Sequence, residues 1–265
     1  MRGVFHVSKN WLTVVVFICV SSLLFGGGFS EAISYRAVEE DGGKIKRPAL
    51  VQTTALTQIQ REKIQFQGPD DEKRLALTFD DGPDPVYTER LLDLLKEEDI
   101  KATFFVLGYK AKQHPSLLKR MVAEGHSIGN HSFTHQELTK LEQSEVLDEV
   151  EQTQAVIEEA TGVTTDLVRA PYGSVNDMVV KTLTRNSYHL IGWSIDSLDW
   201  QYQLPFSIAM NVVEDAHSGG IILHHDGTAT SYQLFEDLPA EIEWLKEKGY
   251  TFVTVPELLH LPEAS

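Results

Sequence analysis

The sequence predicts an α/β protein built as a closed or nearly closed β/α barrel. Short apolar runs alternate with amphipathic stretches from Lys73 onward, and that alternation implies parallel strands joined by crossover helices. There are about seven such units, which suits a barrel; a doubly wound open sheet is the alternative topology. The polar residues most suited to chemistry fall just after the apolar runs, where a barrel carries its active site.

Taken in order, the candidate strands are 75–79, 103–107, 127–130, 166–169, 189–193, 220–224 and 250–253. The helical patterns between them are 86–97, 116–124, 144–160, 176–185, 206–217 and 232–248. Gly125, Gly162 and Gly249 follow three of these helices, where a C-capping residue belongs. The folded domain is placed at residues 72–262, and no internal repeat is visible.

Two segments precede it. Residues 1–30 read as an export segment: Arg2 and Lys9 give a basic start, residues 10–30 carry no charge, and 11–25 are strongly apolar. Gly28 and Ser30 offer a signal-peptide cleavage site. The stretch 11–30 is also close to the roughly 20 residues that span a bilayer, so a retained membrane anchor is the alternative. Cys19 follows Ile18 and so lacks the small preceding residue of a lipoprotein site. Residues 31–71 are polar, contain Gly42, Gly43 and Pro48, and read as a linker. Either reading puts the domain outside the cytoplasm: secreted, in the cell wall, or anchored to the outer face of the cytoplasmic membrane.

Composition narrows the function. Lys and Arg total 23 against 39 Asp and Glu, a net charge of −16. That balance argues against a nucleic-acid partner and against adsorption to an anionic membrane. The single cysteine, Cys19, lies in the export segment, so any metal in the domain is held by His, Asp or Glu.

The first strand runs into Thr78-Phe79-Asp80-Asp81-Gly82-Pro83. Gly82 and Pro83 set a turn that lets both carboxylates reach one site by different routes; alone, the pair also fits a solvated acidic turn. The third ends in Asn130-His131-Ser132-Phe133-Thr134-His135. Histidines at i and i+4 share a face on a helical turn, and two His with one carboxylate is an established catalytic metal set. His131, His135 and Asp81 would supply it. The fourth ends in Arg169-Ala170-Pro171-Tyr172-Gly173, whose Arg is suited to pairing with a carboxylate and keeping it ionised. After the fifth comes Asp196-Ser197-Leu198-Asp199-Trp200, and the sixth delivers Leu223-His224-His225-Asp226. Five motifs at the same end of five strands outweigh any one of them.

Together, in this order, these five motifs resemble those of the polysaccharide deacetylases, carbohydrate esterase family 4, built on the NodB homology domain. The resemblance covers roughly residues 74–259. It implies a distorted (β/α)7 barrel and a divalent metal, usually zinc, with cobalt or others able to serve. It implies Asp81, His131 and His135 as ligands, Asp80 as catalytic base and Arg169 as the residue that holds Asp80. His225 is similar to the catalytic acid and Asp199 to the residue that orients it, while the place of Asp196 is open. The Tyr172 N–H would help form the oxyanion hole, and Trp200 and Leu223 would line a pocket for the acetyl methyl. Side chains alternate along a strand, so with Leu223 at the site His225 points there too, and His224 points away as a structural residue.

The implied reaction is hydrolytic removal of acetyl groups from N-acetylglucosamine units of peptidoglycan or a chitin-like glycan. The chemistry fits: a divalent metal lowers the pKa of its water toward about 7, and a poor amine leaving group needs an acid. An ester-cleaving acetylxylan deacetylase and a non-catalytic glycan-binding wall protein are the rival readings. The expected partner is an acetylated glycan, met by a monomer.

Overall fold

The computed structural model describes residues 56–201, 204–228 and 231–262. The export segment and most of the predicted linker lie outside the described residues. Among the described residues no helix is long and apolar enough to cross a membrane.

The chain forms a curled parallel sheet wrapped by helices. Its strands are β1 (Ile64–Gln65), β2 (Arg74–Asp80), β3 (Thr103–Val106), β4 (Ser127–Asn130), β5 (Leu167–Val168), β6 (His189–Ile191), β7 (Ile195–Asp196), β8 (Gly220–His225) and β9 (Thr251–Phe252). Their order is β1-β6-β5-β4-β3-β2-β8-β7, with β9 beside the start of β2. Strands β6 and β7 lie at opposite ends of the run β6 to β7, yet only residues 192–194 separate them in sequence. Three residues reach about 10 Å, so the sheet must curl until its ends nearly meet. This is the distorted (β/α)7 barrel that the family resemblance implies.

The helices are α1 (Gln58–Lys63), α2 (Tyr87–Glu97), α3 (Gly108–Gln113), α4 (Pro115–Ala123), α5 (Gln143–Thr161), α6 (Asp177–Arg185), α7 (Ser207–Asp215), α8 (Ser231–Glu247) and α9 (Val255–Leu259). Gly125, Gly162 and Gly249 hold φ of 81°, 75° and 84°, the left-handed values that end a helix without strain at a residue lacking Cβ.

Alternation along β2 and β8 divides two environments. Leu75, Leu77 and Phe79 pack outward with Leu91, Leu118 and Leu238 of the helices. Ala76 faces inward with Phe105 and Ile221. The register pairs Ala76 with Ile221, Thr78 with Leu223 and Asp80 with His225, so the inward row climbs from apolar floor to polar mouth. Phe105 fills the interior so tightly that a Cβ on Gly129 would lie 2.4 Å from its ring.

Three elements differ from the sequence expectation. The tail of the predicted linker is ordered: α1 packs on α6, and β1 pairs with β6. The same stretch then crosses to β8, with Gly68 N–H donating to Gly219 O at 2.8 Å, so it bridges the open seam of the barrel. The strand expected at 189–193 ends at Ile191 as β6, and a separate short strand, β7, follows; Gly192 between them lies so close to Phe66 that a Cβ there would come 2.4 Å from its ring. The last strand shrinks to two residues that pair only with the start of β2.

Candidate active site

The carboxyl-terminal ends of β2, β4, β5, β7 and β8 deliver every site residue the sequence singles out. A cleft of about 680 Å³ opens there, lined among others by Asp80, Asp81, His131, His135, Tyr172, Asp196, Trp200, Leu223 and His225.

Asp80 is the last residue of β2 and points into the mouth; at Asp81 the backbone swings to φ 71°, so two neighbouring carboxylates enter one site. His131 and His135 do not share a helical face as expected. Ser132 and His135 take left-handed φ of 67° and 65°, and these bends bring the rings to 5.1 Å centroid separation. Asp81 Oδ1 lies 3.5 Å from His131 Nε2 and 3.1 Å from His135 Nε2.

These three side chains fit a divalent ion. His131 Nδ1 sits 2.8 Å from the Arg169 carbonyl, which can only accept, so Nδ1 carries the proton and Nε2 keeps its lone pair for a metal. His135 Nδ1 is likewise engaged, 3.2 Å from the Tyr172 hydroxyl. Asp81 Oδ1 is buried with no hydrogen-bond donor in line. Burial pushes the Asp81 carboxyl up, but the His135 contact and the charge of His225 prevail and hold it below the usual carboxylate range. Burial pushes the His131 imidazole down, keeping it neutral, the form that binds metal.

Beside this triad, Asp80 divides its two oxygens. Oδ1 accepts from Arg169 Nη1 at 2.8 Å, while Oδ2 lies 3.7 Å from His131 Nε2, facing the triad. Arg169 is buried and fully engaged: Nη1 also donates to Thr78 Oγ1, Nη2 to Gly192 O, and the guanidinium lies 4.1 Å over the Phe105 ring.

On β8, Asp199 Oδ1 lies 2.7 Å from His225 Nδ1, which leaves His225 Nε2 for the cleft. Burial pushes the His225 imidazole down, but the Asp199 carboxylate and the Asp80 and Asp81 charges outweigh it and bring the pKa to about 10. His224 points the other way, as alternation predicts. It is fully buried, stacks on Phe79, and meets Glu241 of α8 at 3.1 Å. Asp196 spends its carboxylate on Leu198 N–H at 2.9 Å and Trp193 Nε1 at 3.3 Å, so it shapes the β7 loop and does not touch His225.

Tyr172 and Trp200 stand at the cleft, 68% and 48% exposed, as accessible faces on which a sugar can stack. Leu223 is buried at its base. Tyr172 holds φ 60°, and while Gly173 and Ser174 N–H close the turn onto Ala170 and Pro171 carbonyls, the Tyr172 N–H takes no part in that turn.

The sequence profile of the family described as polysaccharide deacetylase matches residues 67–191. A peptidoglycan-N-acetylglucosamine deacetylase of Bacillus cereus is 35% identical over 206 residues, covering 77% of this chain and 75% of that protein. The chain belongs to the polysaccharide deacetylase family. Another relative, the peptidoglycan-N-acetylmuramic acid deacetylase PdaA of Bacillus subtilis, is 32% identical over 91% of this chain and 94% of its own. Among solved structures, the Bc1960 peptidoglycan N-acetylglucosamine deacetylase in complex with 4-naphthalen-1-yl-N-oxidanyl-benzamide superposes with a TM-score of 0.75 at 33% identity. That match covers 77% of this chain and 97% of that one.

Several residues of this polysaccharide deacetylase site escaped the sequence reading. Leu56 and Gln60, from the stretch read as linker, line the cleft. Lys110 of α3 donates to Asp81 O at 2.9 Å and Gly227 O at 2.8 Å, tying the loops after β2 and β8 together. Asp226 is buried beneath them and bonded to Thr88; burial pushes its carboxyl up to about 7. Lys110 and Thr88 sit inside amphipathic segments with no local signal. Asp226, next to His225, had one in its place at a strand end.

Proposed function

We propose that this chain hydrolyses the N-acetyl group of N-acetylglucosamine residues in peptidoglycan or a chitin-like glycan, releasing acetate. The observation that carries the reading is one cleft in which Asp81, His131 and His135 converge beside two further groups, Asp80 and His225, each held by a buried partner. Asp81, His131 and His135 would hold a divalent ion, zinc first, which would supply Lewis acidity toward the acetyl carbonyl and toward water.

The chain's own groups do the rest. Asp80 Oδ2 faces the triad and takes a proton from the attacking water, while Arg169 Nη1 holds Oδ1 and so fixes the carboxylate's orientation. The Tyr172 N–H stabilises the negative charge that develops on the carbonyl oxygen. His225, charged because of Asp199, gives its proton to the departing nitrogen as the C–N bond breaks. The products are acetate and a glucosamine residue.

Relatives act on N-acetylglucosamine or N-acetylmuramic acid, and the charge of the cleft favours the former. Asp80, Asp81, Glu137 and Asp196 line it, and among the described residues no Lys or Arg does. A muramic acid carries a lactyl carboxylate, which would meet these acids with no Lys or Arg in the lining to pair with, while His225 and the bound ion are committed to the acetyl group. Residues 1–30 export the chain, which places the cleft where the wall glycan is.

Acetate release from peptidoglycan, chitin oligomers and acetylxylan, measured in parallel, tests the reading. Release from N-acetylated glycans with glucosamine as the new sugar supports it. Release from acetylxylan alone assigns ester chemistry instead, and release from none of the three assigns a binding protein.

A further inference from the structure

The loop that joins the two histidines is held from behind by one carboxylate that no motif contains. Glu149 lies on α5, fourteen positions beyond His135, and is 8% exposed. Its Oε2 accepts the backbone N–H groups of Phe133 at 2.9 Å and Thr134 at 2.8 Å. Its Oε1 accepts the Thr134 hydroxyl at 2.7 Å and the Gln136 amide at 3.5 Å.

The rest of the loop is equally accounted for. His131 N–H donates to Val106 O, and Ser132 N–H to Asn130 Oδ1 at 2.9 Å. Asn130 in turn donates to Val150 O at 2.8 Å, the residue next to Glu149 on α5. His135 N–H donates to Ser132 Oγ at 3.1 Å. The Ser132 and Phe133 carbonyls accept from Gly108 and Tyr109 at the start of α3. Two N–H groups in the middle, those of Phe133 and Thr134, are therefore left to Glu149. Without it they would lose their only protein partner among the described residues, at the point where the chain turns to bring His135 back toward Asp81.

We infer that Glu149 is a positioning residue for the metal site: its carboxylate holds the Ser132–Thr134 turn so that His135 Nε2 meets Asp81 Oδ1. Its bonds run to the chain between the ligands, and charge-assisted bonds to backbone N–H groups are both short and directional. A loop carrying two left-handed residues, Ser132 and His135, has a strained geometry that such anchoring maintains. The inference rests on the metal-dependent reading above, and its test reads metal binding itself.

Zinc affinity is measured by chelator competition on wild type, Glu149→Ala and Glu149→Gln, and the absorption of the cobalt-loaded proteins is recorded alongside. The melting temperature of each metal-free protein reports stability separately. Glu149→Ala should weaken zinc by about 10–100-fold, as loss of a residue supporting metal ligands does, and should change the cobalt spectrum. Glu149→Gln should restore most of the affinity, because the amide oxygen still accepts both N–H groups. Unchanged affinity in Glu149→Ala, or equal loss in Glu149→Gln, overturns the inference. If Glu149→Ala does not fold, Thr134→Val carries the test: several-fold weaker zinc binding supports the role, and unchanged binding overturns it. Wild type that binds no zinc overturns the metal reading instead, a distinguishable outcome.

Discussion

Asp199 grips His225 at two points: its Oδ1 lies 2.7 Å from the imidazole Nδ1, and its Oδ2 accepts the His225 backbone N–H at 2.7 Å. The carboxylate fixes ring orientation and tautomer together, so Nε2 is the atom presented to the cleft. Burial pushes the Asp199 carboxyl up, yet the attraction of His225 holds it below the usual range, and the pair is an ion pair.

The first prediction follows from its charge. As the proposed acid, His225 would work protonated, and it stays protonated until the pH rises through its raised pKa of about 10. The alkaline limb of kcat therefore lies above the ordinary histidine value of about 6.5. Asp199→Asn removes the largest upward influence and should move that limb to lower pH, with a fall in kcat. A pH–rate profile checks this, and an unmoved limb contradicts the assignment.

His224 and His225 separate two kinds of failure. His225→Ala should cut turnover by about 10²–10⁴-fold while the melting temperature stays close to wild type. His224→Ala leaves the buried Glu241 without its partner and should cost about 3–5 kcal/mol of stability, read from denaturant midpoints. The reverse pattern would move the acid to His224 and contradict the alternation along β8.

Asp80→Asn is expected to keep its metal and lose about 10²–10⁴-fold in turnover. Asp80 Oδ1 is committed to Arg169, and the converging triad is completed by Asp81, so ligation should survive the substitution. Elemental analysis of the variant decides the matter: metal lost along with activity would show that Asp80 is a ligand.

Much of this site is legible in the sequence because its residues sit in contiguous runs at strand ends. Asp80 with Asp81, His131 with His135, and Leu223 with His225 each declare themselves within six positions. Strand alternation alone sends His225 inward and His224 outward, and the structure agrees. What escaped is chemistry supplied from a distance. Glu149 reads as one more acid on an amphipathic helix, because its partners are backbone N–H groups that carry no side-chain signature. Strands β1 and β7 are two residues each, too short for any periodicity to register. The bend at 131–135 is not legible in the sequence, because an i, i+4 spacing looks the same whether a helical turn or two left-handed residues create it.

The proposed hydrolysis of N-acetyl groups depends on a metal held by Asp81, His131 and His135. The most direct measurement is acetate release from peptidoglycan by protein stripped with a chelator, before and after zinc is restored. Release should be negligible from the stripped protein and recover with zinc, and Asp81→Ala should not respond to it. Full release by the metal-free protein would contradict that dependence.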